Sequence, residues 1–181
     1  GPTRWRIELD YQKVRGVALM AARGWGAPEV AEAYERAEAL CTALGDDSEL
    51  FTALRGRVQY FMLSGQPEAA AVIAKRCAAL TRTSQDPGIA IETHHMGWTN
   101  QFFIGDPEGA TGHAEQAIAL YRPDRDHALT FRYSGHDPGV CCRCFGGLAH
   151  WQTGRADEAA RLSGDAVALA EGLSHPPSAA L

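Results

Sequence analysis

The chain has 181 residues, 45% of them apolar, with 17 basic against 22 acidic side chains and a net charge of −5 at neutral pH. Its length admits one or two folded domains, and its charge is too small for a nucleic-acid-binding face or a disordered acidic tail. No apolar run approaches the roughly 20 residues that span a bilayer, and five cysteines, an odd set, read as reduced intracellular thiols rather than a disulfide framework.

The amino end, Gly1-Pro2-Thr3-Arg4-Trp5, has no secretory leader pattern. Gly1-Pro2 reads as the stub of a cleaved tag, so residues 1–2 are set apart and the rest is expected to be cut from a larger protein. A first helix is expected over 6–22. Gly24-Trp25-Gly26-Ala27-Pro28-Glu29 then turns the chain into a second over 28–43. Asp46 or Asp47 caps a third over 47–64. Gly65 suits a left-handed helix end, and Pro67 opens a fourth over 67–82 with Glu68 beside the positive terminus. Asp86-Pro87 starts a fifth over 87–103, Gly105-Asp106-Pro107-Glu108 leads into a sixth over 107–121, and Asp137-Pro138 starts a seventh over 138–152. Gly154 precedes an eighth over 156–173. Ser174-His175-Pro176-Pro177-Ser178 again looks like a helix start, the opening of a truncated further repeat from 175.

Every second helix carries the same ladder of small and apolar residues: Val30-Tyr34-Ala37-Leu40, Ala70-Ala74-Cys77-Leu80, Ala110-Ala114-Ala117-Leu120 and Ala159-Ser163-Ala166-Leu169. Steps of four, three and three put each set on one helix face. The terminal leucines fall 40, 40 and 49 positions apart, a period that marks stacked helix pairs. The expected fold is all-α, a right-handed solenoid of antiparallel helix pairs forming one domain over 3–181. Its repeats are 6–43, 47–82, 87–121 and 138–173, with an insertion at 122–137. A truncated array leaves an uncapped apolar face, so self-association is expected of it.

Two places could bind a partner. The insertion carries Arg122, Arg125, His127, Arg132 and Tyr133, and Arg and Tyr are enriched at binding hot spots. It could equally fold back, with Phe131 and Tyr133 filling a gap and Arg132 pairing with a repeat carboxylate. On the fifth helix His94, Trp98 and Gln101 share a stripe beside His95, suited to a peptide or small ligand if that helix lines a groove. Gln59 and Tyr60 hold the matching stripe one repeat earlier, and His150 and Trp151 lie on the seventh helix. Otherwise Trp98 is core. His127, His136, Cys141, Cys142 and Cys144 are metal-ligand types, but on a helix Cys141 and Cys144 share a face while Cys142 points elsewhere. Small cysteines also suit tight helix packing. No metal and no cofactor is therefore expected. Nothing orders a nucleophile, base and orienting group either, so no catalytic residue is assigned.

The ladder with its glycine corner resembles the tetratricopeptide repeat, with a period longer than the roughly 34 residues usual there. A closer likeness covers nearly the whole chain. Gly24-Trp25 with Ala27-Pro28-Glu29-Val30 and Ala33-Tyr34-Glu35-Arg36-Ala37, then Leu44-Gly45-Asp46, form its first part. Ala119-Leu120-Tyr121, His127-Ala128-Leu129, Phe131-Arg132-Tyr133, Asp137-Pro138-Gly139-Val140 and Leu173-Ser174-His175-Pro176 complete it. These stretches resemble the carboxyl-terminal tetratricopeptide-like region of bacterial multidomain regulators. In those, a cyclase or transcription-factor domain precedes a signal-transduction ATPase and the helical repeats. The resemblance implies a cytoplasmic, non-catalytic regulatory domain that binds a protein or peptide, such as the parent's own ATPase or cyclase module, with no nucleic acid or membrane as partner. The alternative is a small-molecule sensor holding its ligand in the concave groove.

Overall fold

The structure is a computed structural model that describes residues 1–181 apart from Thr83, Ser134 and the side chain of Ser48. It is all-α among the described residues, with eleven helical segments in neighbouring pairs. They are α1 (Pro2–Arg23), α2 (Pro28–Leu44), α3 (Asp47–Leu63), α4 (Pro67–Thr81), α5 (Pro87–Phe103), α6 (Pro107–Leu120), α7 (Pro123–Asp126), α8 (Leu129–Arg132), α9 (Pro138–Gln152), α10 (Ala156–Leu173) and α11 (Pro176–Ala179). No helix is long and apolar enough to cross a membrane, among the described residues.

The eight expected helices all form, because the punctuation acts as its chemistry requires. Asp46 Oδ1 accepts the Glu49 N–H at 3.2 Å, Asp86 that of Gly88 at 2.8 Å and Asp106 that of Gly109 at 3.0 Å. Each satisfies an amide with no intrahelical acceptor. Gly65 has φ +76 and Gly105 φ +85. There the Gln66 N–H reaches back to Phe61 O at 2.8 Å and the Asp106 N–H to Gln101 O at 2.8 Å, the closure that only a residue without Cβ enters cheaply. The insertion contributes α7 and α8, which the helical period could not announce.

The chain divides into two compact units. The first comprises Gly1–Gln85 and Phe131–Gly135. In it α1 packs on α2, α2 on α3 and α3 on α4. All four ladder residues of α2 are buried, and Ala37, Leu40 and Cys41 meet Leu9 and Ala53. Tyr34 lies between two helices that approach closely. A Cβ on Gly16 would stand 2.6 Å from its ring, and one on Gly56 2.4 Å. Glycine at both places makes room for the ring. Glu38 of α2 pairs with Arg57 of α3 and, at 2.6 Å, with Arg76 of α4, tying three helices.

The second unit comprises Asp86–Thr130 and His136–Leu181. Here α5 packs on α6, α6 on α9, α9 on α10, and α5 also meets α9. Its core gathers Trp98 with Ala110, Ala114, Ala117, Cys141, Cys142 and Ala149. The ladder of α10 differs from that of α2: Ala159 and Ala166 are buried, but Ser163 is exposed.

Candidate functional site

In the insertion, Arg122 and Arg125 are exposed but engaged at the end of α6. Arg122 Nη1 donates to Ala119 O at 3.2 Å and Tyr121 O at 2.9 Å, and Arg125 Nη2 to Leu120 O at 3.0 Å. Cations on the last carbonyls of a helix satisfy acceptors that have no intrahelical donor. Buried Asp126 takes the Arg122 backbone N–H at 2.7 Å and pairs with Arg125. Half-buried His127 places Nδ1 2.8 Å from Oδ2 of Asp137, which also accepts the Tyr121 hydroxyl at 2.8 Å. Oδ1 of Asp137 accepts the Val140 N–H at 3.0 Å, and its own N–H donates to Ser178 Oγ at 2.8 Å. Burial and the Asp137 carboxylate push the Tyr121 hydroxyl well above the ordinary phenol range.

Arg132 and Tyr133 belong to the first unit. Tyr133 is buried, edge-on to Phe51 at 6.0 Å, and Arg132 lies 3.7 Å from Glu49. This is the folded-back arrangement, except that Phe131 is 66% exposed instead of filling a gap. Ser134, also in the insertion, lies outside the described residues.

The α5 stripe resolves into separate roles. Trp98 is fully buried, in the core. Gln101 is half-buried against the start of α6 near Gly109, and half-buried His94 sets Nδ1 3.0 Å from His113 Nδ1. Burial holds both of these imidazoles below the ordinary value, His94 further by the neighbouring ring. Gln59 is buried against Arg55 and His150 is buried near Glu115, whereas Trp151 is 68% exposed.

Two assemblies were not apparent from spacing. The first is an apolar face on α9 and α10. Leu148, Trp151 and Val167 stand 52%, 68% and 59% exposed there. Two open-sided hollows adjoin, of about 280 and 390 Å³, with Leu148 and Ser163 lining both. The second is buried. His95 Nε2 of α5 lies 3.4 Å from His136 Nε2 and 3.4 Å from Cys141 Sγ, and all three donor atoms fall within 4.8 Å of one another. Glu92, one turn before His95, reaches its Nδ1 at 3.3 Å, and Trp98 stacks on the same ring at 4.5 Å. These donors can hold a metal. The sequence places His136 and Cys141 near His127, Cys142 and Cys144, whereas the structure gathers these two with His95. The available signal was the Glu92-x-x-His95 pair on one helix face.

A scan against protein-family models finds no match, and a search of curated proteins finds no significant one.

Proposed function

We propose that this chain is a non-catalytic repeat domain, part of a right-handed tetratricopeptide-like solenoid in a larger bacterial signalling or transcription regulator, and that it works by holding a partner protein. The observation that carries this reading is the exposed apolar surface of α9 and α10 at Leu148, Trp151 and Val167. Where α2 and α6 are followed in their own units by α3 and α9, those helices pack on them. α10 is followed only by the four-residue α11, which packs on it and, together with Leu181, lines one hollow through Ser178 and Ala179. Ser163 stays exposed, and Leu148, Trp151 and Val167 present apolar surface beside it. The natural occupant is therefore another amphipathic helix, which lays apolar residues at helical spacing into such a groove. A protruding tryptophan is a strong anchor for it. Open-sided hollows suit a helix better than a small molecule, which favours an enclosed pocket.

The test compares the wild-type domain with Leu148→Glu/Trp151→Glu as immobilised bait, followed by cross-link mapping. Both positions are solvent-exposed, so each change should alter stability by no more than about 0.5 kcal/mol. The expected result is a partner cross-linked to α9–α10 on wild type and lost from the variant at unchanged melting temperature. Identical partners on both would contradict this reading.

A further inference from the structure

The buried His95, His136 and Cys141 come from separate parts of the second unit: α5, the residue before the Asp137 cap of α9, and the first turn of α9. All three are nearly fully buried, at 4%, 4% and 2% exposure. Their donor atoms converge. The His95–His136 nitrogen separation of 3.4 Å exceeds the roughly 2.7–3.2 Å of an ordinary hydrogen bond from N–H. It does match a coordination edge. With metal–nitrogen bonds of about 2.05 Å and metal–sulfur bonds of about 2.3 Å, a tetrahedral ion sets N···N edges near about 3.3 Å and N···S edges near about 3.6 Å. The observed 3.4 Å from His95 to each neighbour lies within about 0.2 Å of these values, and the remaining edge, His136 to Cys141, is at most 4.8 Å.

The surroundings supply what such an ion needs next. His95 Nδ1 lies 3.3 Å from the Glu92 carboxylate. A carboxylate there would hold the tautomer with the Nε2 lone pair toward His136 and Cys141, and raise the basicity of the ligand. Glu92 is 0% exposed, so its negative charge also offsets the charge of an ion held by two neutral imidazoles and one thiolate. The Trp98 ring stacked on His95 fixes the imidazole plane. We propose that His95, His136 and Cys141 form a zinc-class metal site, with Glu92 as the carboxylate that positions His95. Binding takes Cys141 as thiolate and releases its proton to solvent. The ion joins α5 to the start of α9, and three protein ligands leave the fourth tetrahedral position to a water or a further group. The site is independent of the α9–α10 face and stands whether or not that face binds a helix.

The experiment is titration of metal-free full-length chain with Co2+ and Zn2+, with circular dichroism to confirm folding. The expected result is a thiolate-to-cobalt charge-transfer band saturating at one ion per chain and displaced by Zn2+. X-ray absorption of the zinc form should then show one sulfur at about 2.3 Å with nitrogen neighbours at about 2.0 Å. Glu92→Gln should weaken binding about 10- to 100-fold, and Cys141→Ser should abolish the band. Absence of any sulfur-ligated ion in folded wild type overturns the proposal. So does a shell with two or more sulfurs, or a band that survives in Cys141→Ser. If Cys141→Ser does not fold, the wild-type sulfur count and the Glu92→Gln affinity decide, and an unchanged affinity there removes Glu92 from the site.

Discussion

Arg132 and Tyr133 are adjacent in sequence and opposite in environment. Tyr133 is 1% exposed with its ring against Phe51, and Arg132 is exposed with a loose 3.7 Å contact to Glu49. Truncating a buried aromatic removes contacts that the surroundings only partly refill. Tyr133→Ala is therefore expected to destabilise the first unit by about 3–5 kcal/mol. Arg132→Ala should stay within about 0.5 kcal/mol, since exposed ion pairs are screened by water. Urea unfolding of the two variants measures the difference, and equal losses would contradict it. The sequence displayed the residue types of the insertion but not which of them turn inward. For the buried histidines and cysteine the difficulty is distance along the chain. His95 stands 41 positions from His136 and 46 from Cys141, while spacing arguments reach only across a turn or a short loop.

At the scale of helices much more was legible. Asp-Pro starts and glycine ends act within four residues of themselves, so Asp86-Pro87, Asp137-Pro138 and Gly105 mark real boundaries without help from tertiary contacts. The segments α7 and α8 have four residues each, too few to show a period. What joins the helices is also partly electrostatic, and it makes a testable pH dependence. Burial pushes the Glu38 carboxyl up, but the hydrogen bonds and charges of Arg57 and Arg76 outweigh that and hold it below its ordinary value of 4.5. A carboxyl depressed on folding contributes stability that is present above 4.5 and lost as pH falls through its folded value. Glu38→Gln should cost about 1–2 kcal/mol at neutral pH, the Arg76 side being partly screened by solvent. It should also flatten the acid limb of a stability–pH curve below pH 4.5. An unchanged acid limb would remove Glu38 from the tie.

For the whole molecule, the chain is built from two units with their own cores, and the insertion supplies Phe131–Gly135 to the first while its other described residues belong to the second. Repeat folds stabilise themselves through neighbouring helix pairs and leave extended faces for partners. The proposed role rests on an exposed apolar face of the second unit, carrying Leu148, Trp151 and Val167. A ligand that binds only the folded state must raise its stability, by about 2.7 kcal/mol at a hundredfold excess over the dissociation constant. The deciding measurement is the thermal unfolding midpoint of wild type and Trp151→Glu in bacterial extract separated into macromolecular and small-molecule fractions. A protein-binding domain should be stabilised by the macromolecular fraction, with the shift lost in Trp151→Glu. A shift produced by the small-molecule fraction beyond that of its metal ions alone, equal in both proteins, would contradict it and establish the sensor instead.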